Sequence, residues 1–200
     1  APDEEFTAGG NDVDATAHAG VDTNVDGGTN AGVAENANTS SAEATVVETI
    51  VISSPITGLA ADLSTTPDEA FAGKMMGDGA VVTPEDSVVR APEDGEVCFV
   101  FETKHAIGFL TDSGVSLLIH MGIDTVALNG EGFEVFVKNG QKVKKGEPLL
   151  GLNLDYLKEN APSLASPVLC TELEDNQKVR LLKDGQIKAG EALFAIDIYE

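Results

Sequence analysis

Two of the chain's three histidines lie inside apolar segments. His105 belongs to the segment FETKHAIGFL, and His120 belongs to VSLLIHMGIDTV. The sequence TDSGV (111–115) between them is typical of a turn, so the two segments are predicted to pair as a β-hairpin. A turn centred near Asp112 and Ser113 places His105 directly opposite His120, and a loop shifted by one residue makes the pair diagonal. The sequence therefore predicts two neighbouring imidazoles in apolar surroundings.

Two neighbouring imidazoles have three explanations. The first is a hydrogen-bonded pair that only packs in the core. The second is a zinc site with Asp112 or Asp124 as a further ligand, although the chain contains neither H-x-H nor H-E-x-x-H. The third is phosphoryl transfer, in which a neutral imidazole accepts the group on one ring nitrogen while a fixed acceptor binds the other. The second imidazole, the Thr103 hydroxyl and backbone N–H groups around Gly122 would then hydrogen-bond the phosphoryl oxygens.

The elements that must position these residues are short strands. From Thr49 onward, segments such as GEVCFVFET, VSLLIHM and ALFAIDIYE have the length and composition of β-strands, and only residues 66–73 and 154–162 favour helical turns. The motif S/A-P-x-x-G occurs twice, as SPITG and APEDG. The segment GQKVKKGEPLLGL is similarly repeated as GQIKAGEALFAI. The sequence therefore predicts an all-β sandwich or barrel with a duplicated β-hairpin.

The N-terminal quarter of the chain has a different composition. Residues 1–49 contain ten acidic residues, no Lys or Arg and no hydrophobic period. Such a segment cannot bury enough apolar surface to offset the entropy lost on ordering. Residues 1–48 are therefore predicted to be a disordered acidic tail or an interdomain linker, and residues 49–200 to be the folded domain. His18 lies in the tail and is predicted to have no function.

The charge and the cysteines restrict the partners and the location. A formal net charge of −22 at pH 7 argues against nucleic acid and anionic membrane surfaces, and favours a basic protein partner. No segment approaches the roughly 18 apolar residues of a membrane span, so direct membrane insertion is not expected. Cys98 and Cys170 have no CxxC spacing, and two buried, reduced thiols in a cytoplasmic protein are expected, with one disulfide as the alternative.

Four segments together resemble the glucose-type enzyme IIA domain of the bacterial phosphoenolpyruvate:sugar phosphotransferase system. They are FAGKMMGDGAVVTP, FETKHAIGF, LLIHMGIDTV and LNGEGFEVFVKNGQKVKKGEPLL, and they follow the family's order within residues 49–200. The resemblance implies a flattened antiparallel β-sandwich with a duplicated hairpin motif. It also implies a phosphotransferase component that needs no cofactor, because the phosphoryl group is carried as phosphohistidine. Zinc is expected only in a complex with a partner.

The resemblance implies a role for each residue that matches the family's motifs. His120 would accept the phosphoryl group on Nε2 from phospho-HPr and pass it to a cysteine of the cognate IIB domain, for coupled sugar uptake and phosphorylation. His105 would orient and stabilise the group, supported by a hydrogen bond with Thr103. The expected partner-binding residues are Asp68, Phe71, Met75, Met76, Gly122 and Asp124. For Phe71 and the two methionines, core packing is the alternative.

The segment TKHAIG, with Lys104, is more similar to IIA domains fused to sugar permeases than to free-standing ones. The chain is therefore predicted to come from a multidomain permease, which would hold it at the inner face of the cell membrane through IIB and IIC domains. The main alternative is a regulatory binding protein of the free-standing IIA type. A zinc-dependent hydrolase and a biotinyl or lipoyl carrier that uses Lys74 are weaker alternatives. The sequence does not name the sugar.

Overall fold

Residues 44–200, which the computed structural model describes, consist mainly of short β-strands joined by turns. The strands, in chain order, are β1 (Val46–Ser53), β2 (Gly58–Asp62), β3 (Asp78–Pro84), β4 (Val88–Arg90), β5 (Gly95–Val100), β6 (Ala106–Thr111), β7 (Ser116–His120), β8 (Phe133–Val135), β9 (Lys142–Val143), β10 (Pro148–Leu152), β11 (Ser166–Cys170), β12 (Gln177–Leu181), β13 (Gly185–Ile187) and β14 (Ala192–Tyr199). Two α-helices, α1 (Glu69–Ala72) and α2 (Leu154–Asn160), and two 3-10 helical turns, Leu63–Thr65 and Thr125–Leu128, lie between them. The prediction of an all-β fold with few helical turns is confirmed.

The strands form three antiparallel sheets. The largest has the order β13-β2-β3-β11-β7-β6-β5-β9, and the two smaller sheets have the orders β1-β14-β12 and β4-β10-β8. The strand that ends in His120, β7, therefore lies in the interior of the largest sheet, between β11 and β6. Both edges of β7 are hydrogen-bonded, so the backbone that carries His120 has little freedom to move.

The duplicated hairpin motif is present at both ends of the largest sheet. Gly58, at the end of SPITG, begins β2, which pairs with β13. Gly95, at the end of APEDG, begins β5, which pairs with β9. The two similar Gly-Gln segments contain β9 with β10 and β13 with β14. Each repeat therefore supplies one edge of the sheet.

The described part of the chain begins inside the predicted N-terminal tail. Residues 1–43, including His18, lie outside the described residues, so the disordered tail or linker stays a prediction. β1 begins at Val46, three residues before the predicted start of the domain at Thr49. Val46 lies opposite Tyr199, so these first residues already pair with the end of β14.

The largest sheet has apolar residues on both faces because its side chains alternate between them. Ile107, Ile119 and Val168 lie on the face that forms the main core. A smaller apolar cluster consists of Leu63, Phe71, Val81, Ala106, Leu118, Ile123 and Leu169. His120 follows Leu118 by two residues, so its side chain lies on the face of the smaller cluster.

The β6–β7 hairpin has a different register from the simplest prediction. Ala106, not His105, lies opposite His120, and the loop has three residues instead of two. The loop closes because Thr111 N–H donates to Val115 O over 3.0 Å and Thr111 Oγ1 accepts from Val115 N–H over 2.9 Å. Gly114 supplies the left-handed conformation, with φ of 87°, that such a loop requires.

The expectation of two buried thiols is right for Cys170 and wrong for Cys98, which is exposed. The pairing of β5 with β6 shifts between Val97 and Phe99, so Cys98 is the extra residue of a β-bulge. Both cysteines are free.

Gly79 lies in β3, where this strand closely approaches β11, the strand that pairs with β7. A Cβ atom at Gly79 would overlap the carbonyl oxygen of Val168 in β11. We expect Gly79→Ala to lower the free energy of unfolding by about 1–3 kcal/mol, because backbone atoms must move to admit the methyl group. Urea unfolding measures this change. Thr83→Ala, at an exposed position of the same strand, should change it by less than about 0.5 kcal/mol, and equal effects would contradict the prediction.

Candidate functional site

His120 is held in a single tautomer by the backbone carbonyl of Gly122, two residues further along the chain. Its Nδ1 atom lies 2.9 Å from the carbonyl oxygen of Gly122. A carbonyl oxygen only accepts hydrogen bonds, so Nδ1 carries the proton and donates it. The Nε2 atom of the neutral ring is consequently left with a free electron pair.

The contact between His120 and Gly122 depends on the absence of a side chain at residue 122. Gly122 has φ of 73°, a left-handed conformation that turns its carbonyl back toward the imidazole. A Cβ atom there would lie 2.7 Å from Cγ2 of Thr125 and 3.0 Å from the carbonyl oxygen of Ser163. Gly122 was predicted as a partner-binding residue, and the structure places it as the acceptor for His120.

His105 lies beside His120, although the two are not directly opposed. Its carbonyl oxygen accepts from the N–H of Met121 over 2.7 Å, and its ring centroid is 4.8 Å from that of His120, with the rings at 80°. Lys104 precedes it with φ of 59°, which interrupts the regular alternation of side chains before β6. His105 Nδ1 lies 2.7 Å from Oγ1 of Thr103. The three predicted catalytic residues are therefore together.

Two phenyl rings enclose the imidazole pair. Phe71 of α1 lies against His120 with ring centroids 4.9 Å apart, and Phe101 stacks on His105 at 5.2 Å and 15°. Phe71 was among the predicted residues. Phe101 was not, although it stands in the same FETKHA segment as Thr103 and His105. The signal that could have identified it is an aromatic residue close to two polar site residues in one segment.

Burial keeps both imidazoles neutral at neutral pH. Removal from water lowers the pKa of His105 to about 4, and the neighbouring His120 contributes to the same shift. Burial also lowers the pKa of His120, while the hydrogen bond to Gly122 and the carboxylates of Asp68 and Asp124 act in the opposite direction. The site is thus a pair of uncharged rings in which one nitrogen, Nε2 of His120, has a defined free electron pair.

The low pKa of His105 predicts a loss of stability in acid. The folded protein binds this proton only near pH 4, whereas the unfolded chain binds it near pH 6.5. The contribution of the neutral His105 ring to the free energy of unfolding is therefore fully present above pH 6.5 and is lost as the pH falls to 4. It amounts to roughly 3 kcal/mol. We expect the free energy of unfolding of His105→Gln, measured in urea, to fall less over this range than that of the unchanged protein. Equal pH dependence of the two proteins would contradict the prediction. Both proteins have the same carboxylates, so the pH dependence that these groups cause cancels in the comparison.

Two carboxylates lie near the imidazole pair. Asp68 caps α1, where its side chain accepts from the N–H groups of Ala70 and Phe71 over 2.9 Å and 3.3 Å. Asp124 is exposed and left-handed, with φ of 54°. Both carboxylates raise the pKa of His120, so both lie close enough to act on its charge. They form an acidic edge to the site.

The remaining predicted residues differ in burial. Phe71 is buried, so core packing accounts for part of its role. Met75 and Met76 lie a few residues after α1 and are 80% and 45% exposed, so core packing does not account for them. Exposed, flexible methionines are typical of surfaces that bind other proteins.

Ser166 and Thr125 belong to the site and were not predicted. Ser166 Oγ accepts from the N–H of Gly122 over 3.1 Å, and Thr125 Oγ1 donates to the carbonyl of Met121 over 2.6 Å. Thr125 lies within the GIDTV motif, and its place in that motif could have identified it as a site residue. Ser166 is far from the motif in sequence, and no pattern in the sequence indicates the contact.

Across residues 44–200, no cluster of three or more His, Cys, Asp or Glu side chains has the arrangement of a metal site. In the same part of the chain, no helix is long and apolar enough to cross a membrane.

Three comparisons relate this site to known proteins. The chain is 42% identical over 165 residues to the PTS system glucoside-specific EIICBA component of Staphylococcus carnosus. The aligned residues make up 82% of this chain and 24% of that protein. It is 47% identical over 150 residues to the PTS system N-acetylglucosamine-specific EIICBA component of Klebsiella pneumoniae, which covers 75% of this chain and 23% of that protein. The chain thus spans about a quarter of the length of these relatives.

A solved structure gives the same fold. The glucose permease IIA from Mycoplasma capricolum matches with a TM-score of 0.69 and 34% sequence identity, over 74% of this chain and 96% of that one. Residues 50–176 match the family described as phosphoenolpyruvate-dependent sugar phosphotransferase system, EIIA 1. This match covers more than half of the chain and includes both imidazoles. The chain belongs to the EIIA 1 family of the phosphoenolpyruvate-dependent sugar phosphotransferase system.

Proposed function

We propose that this chain is a phosphocarrier that accepts a phosphoryl group from phospho-HPr on Nε2 of His120 and passes it to a cysteine of a IIB domain. The observation that supports it most directly is the hydrogen bond from His120 Nδ1 to the Gly122 carbonyl. This bond leaves Nε2 unprotonated without the help of a separate base. A nucleophile is thereby ready in the resting protein.

The transfer balances without a further reactant. The electron pair on Nε2 of His120 forms a bond to phosphorus as the bond between phosphorus and the donor atom of phospho-HPr breaks. The electron pair of the broken bond stays on that atom of HPr. In the second transfer, a thiolate of the IIB domain attacks the same phosphorus, and the electron pair returns to Nε2. The proton stays on Nδ1 of His120, hydrogen-bonded to the Gly122 carbonyl, throughout.

His105 supplies a hydrogen bond to the transferred group. When the Thr103 hydroxyl donates to Nδ1 of His105 over 2.7 Å, the proton of the neutral ring is on Nε2. That N–H can donate to a phosphoryl oxygen on the neighbouring His120. Because burial keeps His105 uncharged, it stabilises the group without the full attraction of an imidazolium. A carrier needs this balance, since it must also release the group.

The surface around the imidazoles suits a basic, partly apolar partner. Asp68 and Asp124 provide negative charge beside His120, and Met75 and Met76 provide exposed apolar surface. The formal net charge of −22 would attract a partner that presents a basic surface, as is expected of HPr, from a distance. The same surface would then bind the IIB domain.

The two EIICBA relatives carry IIA sequence as about a quarter of their length. We therefore place this IIA domain in a fused permease, where it works at the cytoplasmic face of the membrane through its IIB and IIC domains. The sugars named for the relatives, a glucoside and N-acetylglucosamine, differ from each other. They define a substrate class of glucose-type sugars and do not select one member.

The transfer proposed here uses no metal or organic cofactor, because neutral Nε2 is itself the nucleophile. Zinc would bind between His105 and His120 only where a partner supplies the further ligands that tetrahedral zinc requires.

Labelling with radioactive phosphoenolpyruvate tests the function. The full chain is incubated with enzyme I and HPr, and a parallel sample lacks HPr. We expect stable labelling in alkali, loss of the label in acid, and no label without HPr, as for phosphohistidine formed by transfer. Absence of label on the folded chain, while HPr itself is labelled, would overturn the proposal.

A further inference from the structure

The backbone around Gly122 is held by Thr125 and by groups from residues 163–166. On one side, the Gly122 N–H donates to Ser166 Oγ over 3.1 Å, and the carbonyl of the same peptide group accepts from Thr125 Oγ1 over 2.6 Å. On the other side, the N–H of Ile123 donates to the carbonyl of Ser163 over 3.0 Å. That second peptide group includes the Gly122 carbonyl, which accepts from His120.

Glycine at this position creates a need for such support. Only glycine fits the space and the left-handed φ of 73°, but a glycine in a loop also adopts many other conformations. Without external contacts, the Gly122 carbonyl would not stay aimed at Nδ1 of His120. The constraint must therefore come from the groups that bind the two peptide units on either side of Gly122.

We propose that Ser166 is a positioning residue for His120: its hydroxyl holds the Gly122 backbone so that the Gly122 carbonyl fixes the imidazole in the tautomer with Nε2 free. The importance of this tautomer for phosphoryl transfer rests on the proposed function. Ser166 Oγ accepts from Gly122 and donates to the carbonyl of Leu164 over 2.8 Å, so the hydroxyl has one defined orientation.

Ser166 acts only through the backbone. Its side chain is fully buried, with 0% exposure, so neither HPr nor a IIB domain touches it. Its two hydrogen bonds occupy the hydroxyl as donor and as acceptor. Of the two groups that the Ser166 hydroxyl binds, Gly122 is the one that contacts His120, so we expect a change at Ser166 to reach His120 through the Gly122 backbone.

The chain contains a matched control. Ser54 is also buried, and its hydroxyl also donates to a carbonyl and accepts an N–H, both from Ile56. It also precedes a proline, Pro55, as Ser166 precedes Pro167. Ser54→Ala therefore removes the same kind of hydroxyl at a position that does not bind the Gly122 backbone.

Nitrogen-15 NMR of the imidazole rings in the free protein measures the tautomer of His120. We expect Ser166→Ala to lower the fraction with the proton on Nδ1 and to slow phosphoryl acceptance from phospho-HPr by up to about tenfold, the equivalent of one hydrogen bond. Ser54→Ala should leave both measurements unchanged. An unchanged tautomer and an unchanged rate in folded Ser166→Ala would overturn the proposal.

Two further measurements cover the remaining outcomes. If Ser166→Ala does not fold, Ser166→Cys nearly keeps the side-chain volume and has a much weaker hydrogen-bonding group. It should show the same change in the His120 tautomer. In the unchanged protein, hydrogen exchange at the Gly122 amide should be slow, and exchange as fast as at an exposed amide would contradict the role of Ser166. The tautomer is read without phosphorylation, so a shift in a chain that HPr never labels would refute the proposed function and leave the positioning role standing.

Discussion

His120→Ala will accept no phosphoryl group from phospho-HPr, whereas His18→Ala will be labelled like the unchanged protein. Loss of a nucleophile lowers such a rate by at least about a thousandfold. His105 cannot take over, because it is buried with 6% exposure and its Nδ1 is bound to Thr103. The measurement is the initial rate of labelling from radioactive phosphoenolpyruvate through enzyme I and HPr.

A loss of labelling is informative only if the variant stays folded. His120 is half-buried against Phe71, so alanine leaves a gap in the smaller apolar cluster. His120→Gln fills more of that gap and still offers a donor to the Gly122 carbonyl, and it too should remain unlabelled. Both variants should melt cooperatively in a thermal scan. Acid-labile label in folded His120→Ala or His120→Gln would show that the nucleophile is another residue.

The proximity of the two imidazoles could be predicted from the sequence, but the strand register and the backbone conformation that bring them together could not. The TDSGV turn correctly indicated that β6 pairs with β7. The register depended on details that residue types alone do not determine, namely the Thr111 hydroxyl and the left-handed Gly114. The rings stay close despite the shift of one residue, and Lys104, just before His105, has an unusual positive φ. A non-glycine residue in that conformation cannot be foreseen from one sequence.

The residues that hold His120 in place were harder to predict from the sequence than His120 itself. Motifs that are continuous in sequence, such as GIDTV, pointed to Gly122 and Asp124. Ser166 reaches Gly122 only because β11 pairs with β7, so its role follows from the topology of the sheet. The bulge that exposes Cys98 likewise comes from the pairing of β5 with β6. Local patterns therefore identify groups that react, whereas long-range pairing determines how these groups are held.

The second large effect concerns release of the phosphoryl group. His105→Gln will still be labelled by phospho-HPr, but transfer from His120 to the IIB domain will be at least about a hundredfold slower. Nε2 of His120 remains free in this variant, since the Gly122 contact does not involve His105. Under the proposed function, the variant lacks the His105 N–H that would donate to the phosphoryl oxygens, and that hydrogen bond would be needed most as charge redistributes during transfer.

The two steps are measured separately. Acceptance is followed as labelling by phospho-HPr, and transfer is followed as loss of label from isolated phosphoprotein mixed with the IIB domain of an EIICBA relative. Thr103→Val, which removes the hydroxyl and keeps the shape of the side chain, serves as the matched variant. Because it leaves the His105 ring in place without its partner, it should slow the same second step by a smaller factor. If His105→Gln instead blocked acceptance, His105 would be required for the attack of Nε2 on phosphorus, and its role as a stabilising donor would be wrong.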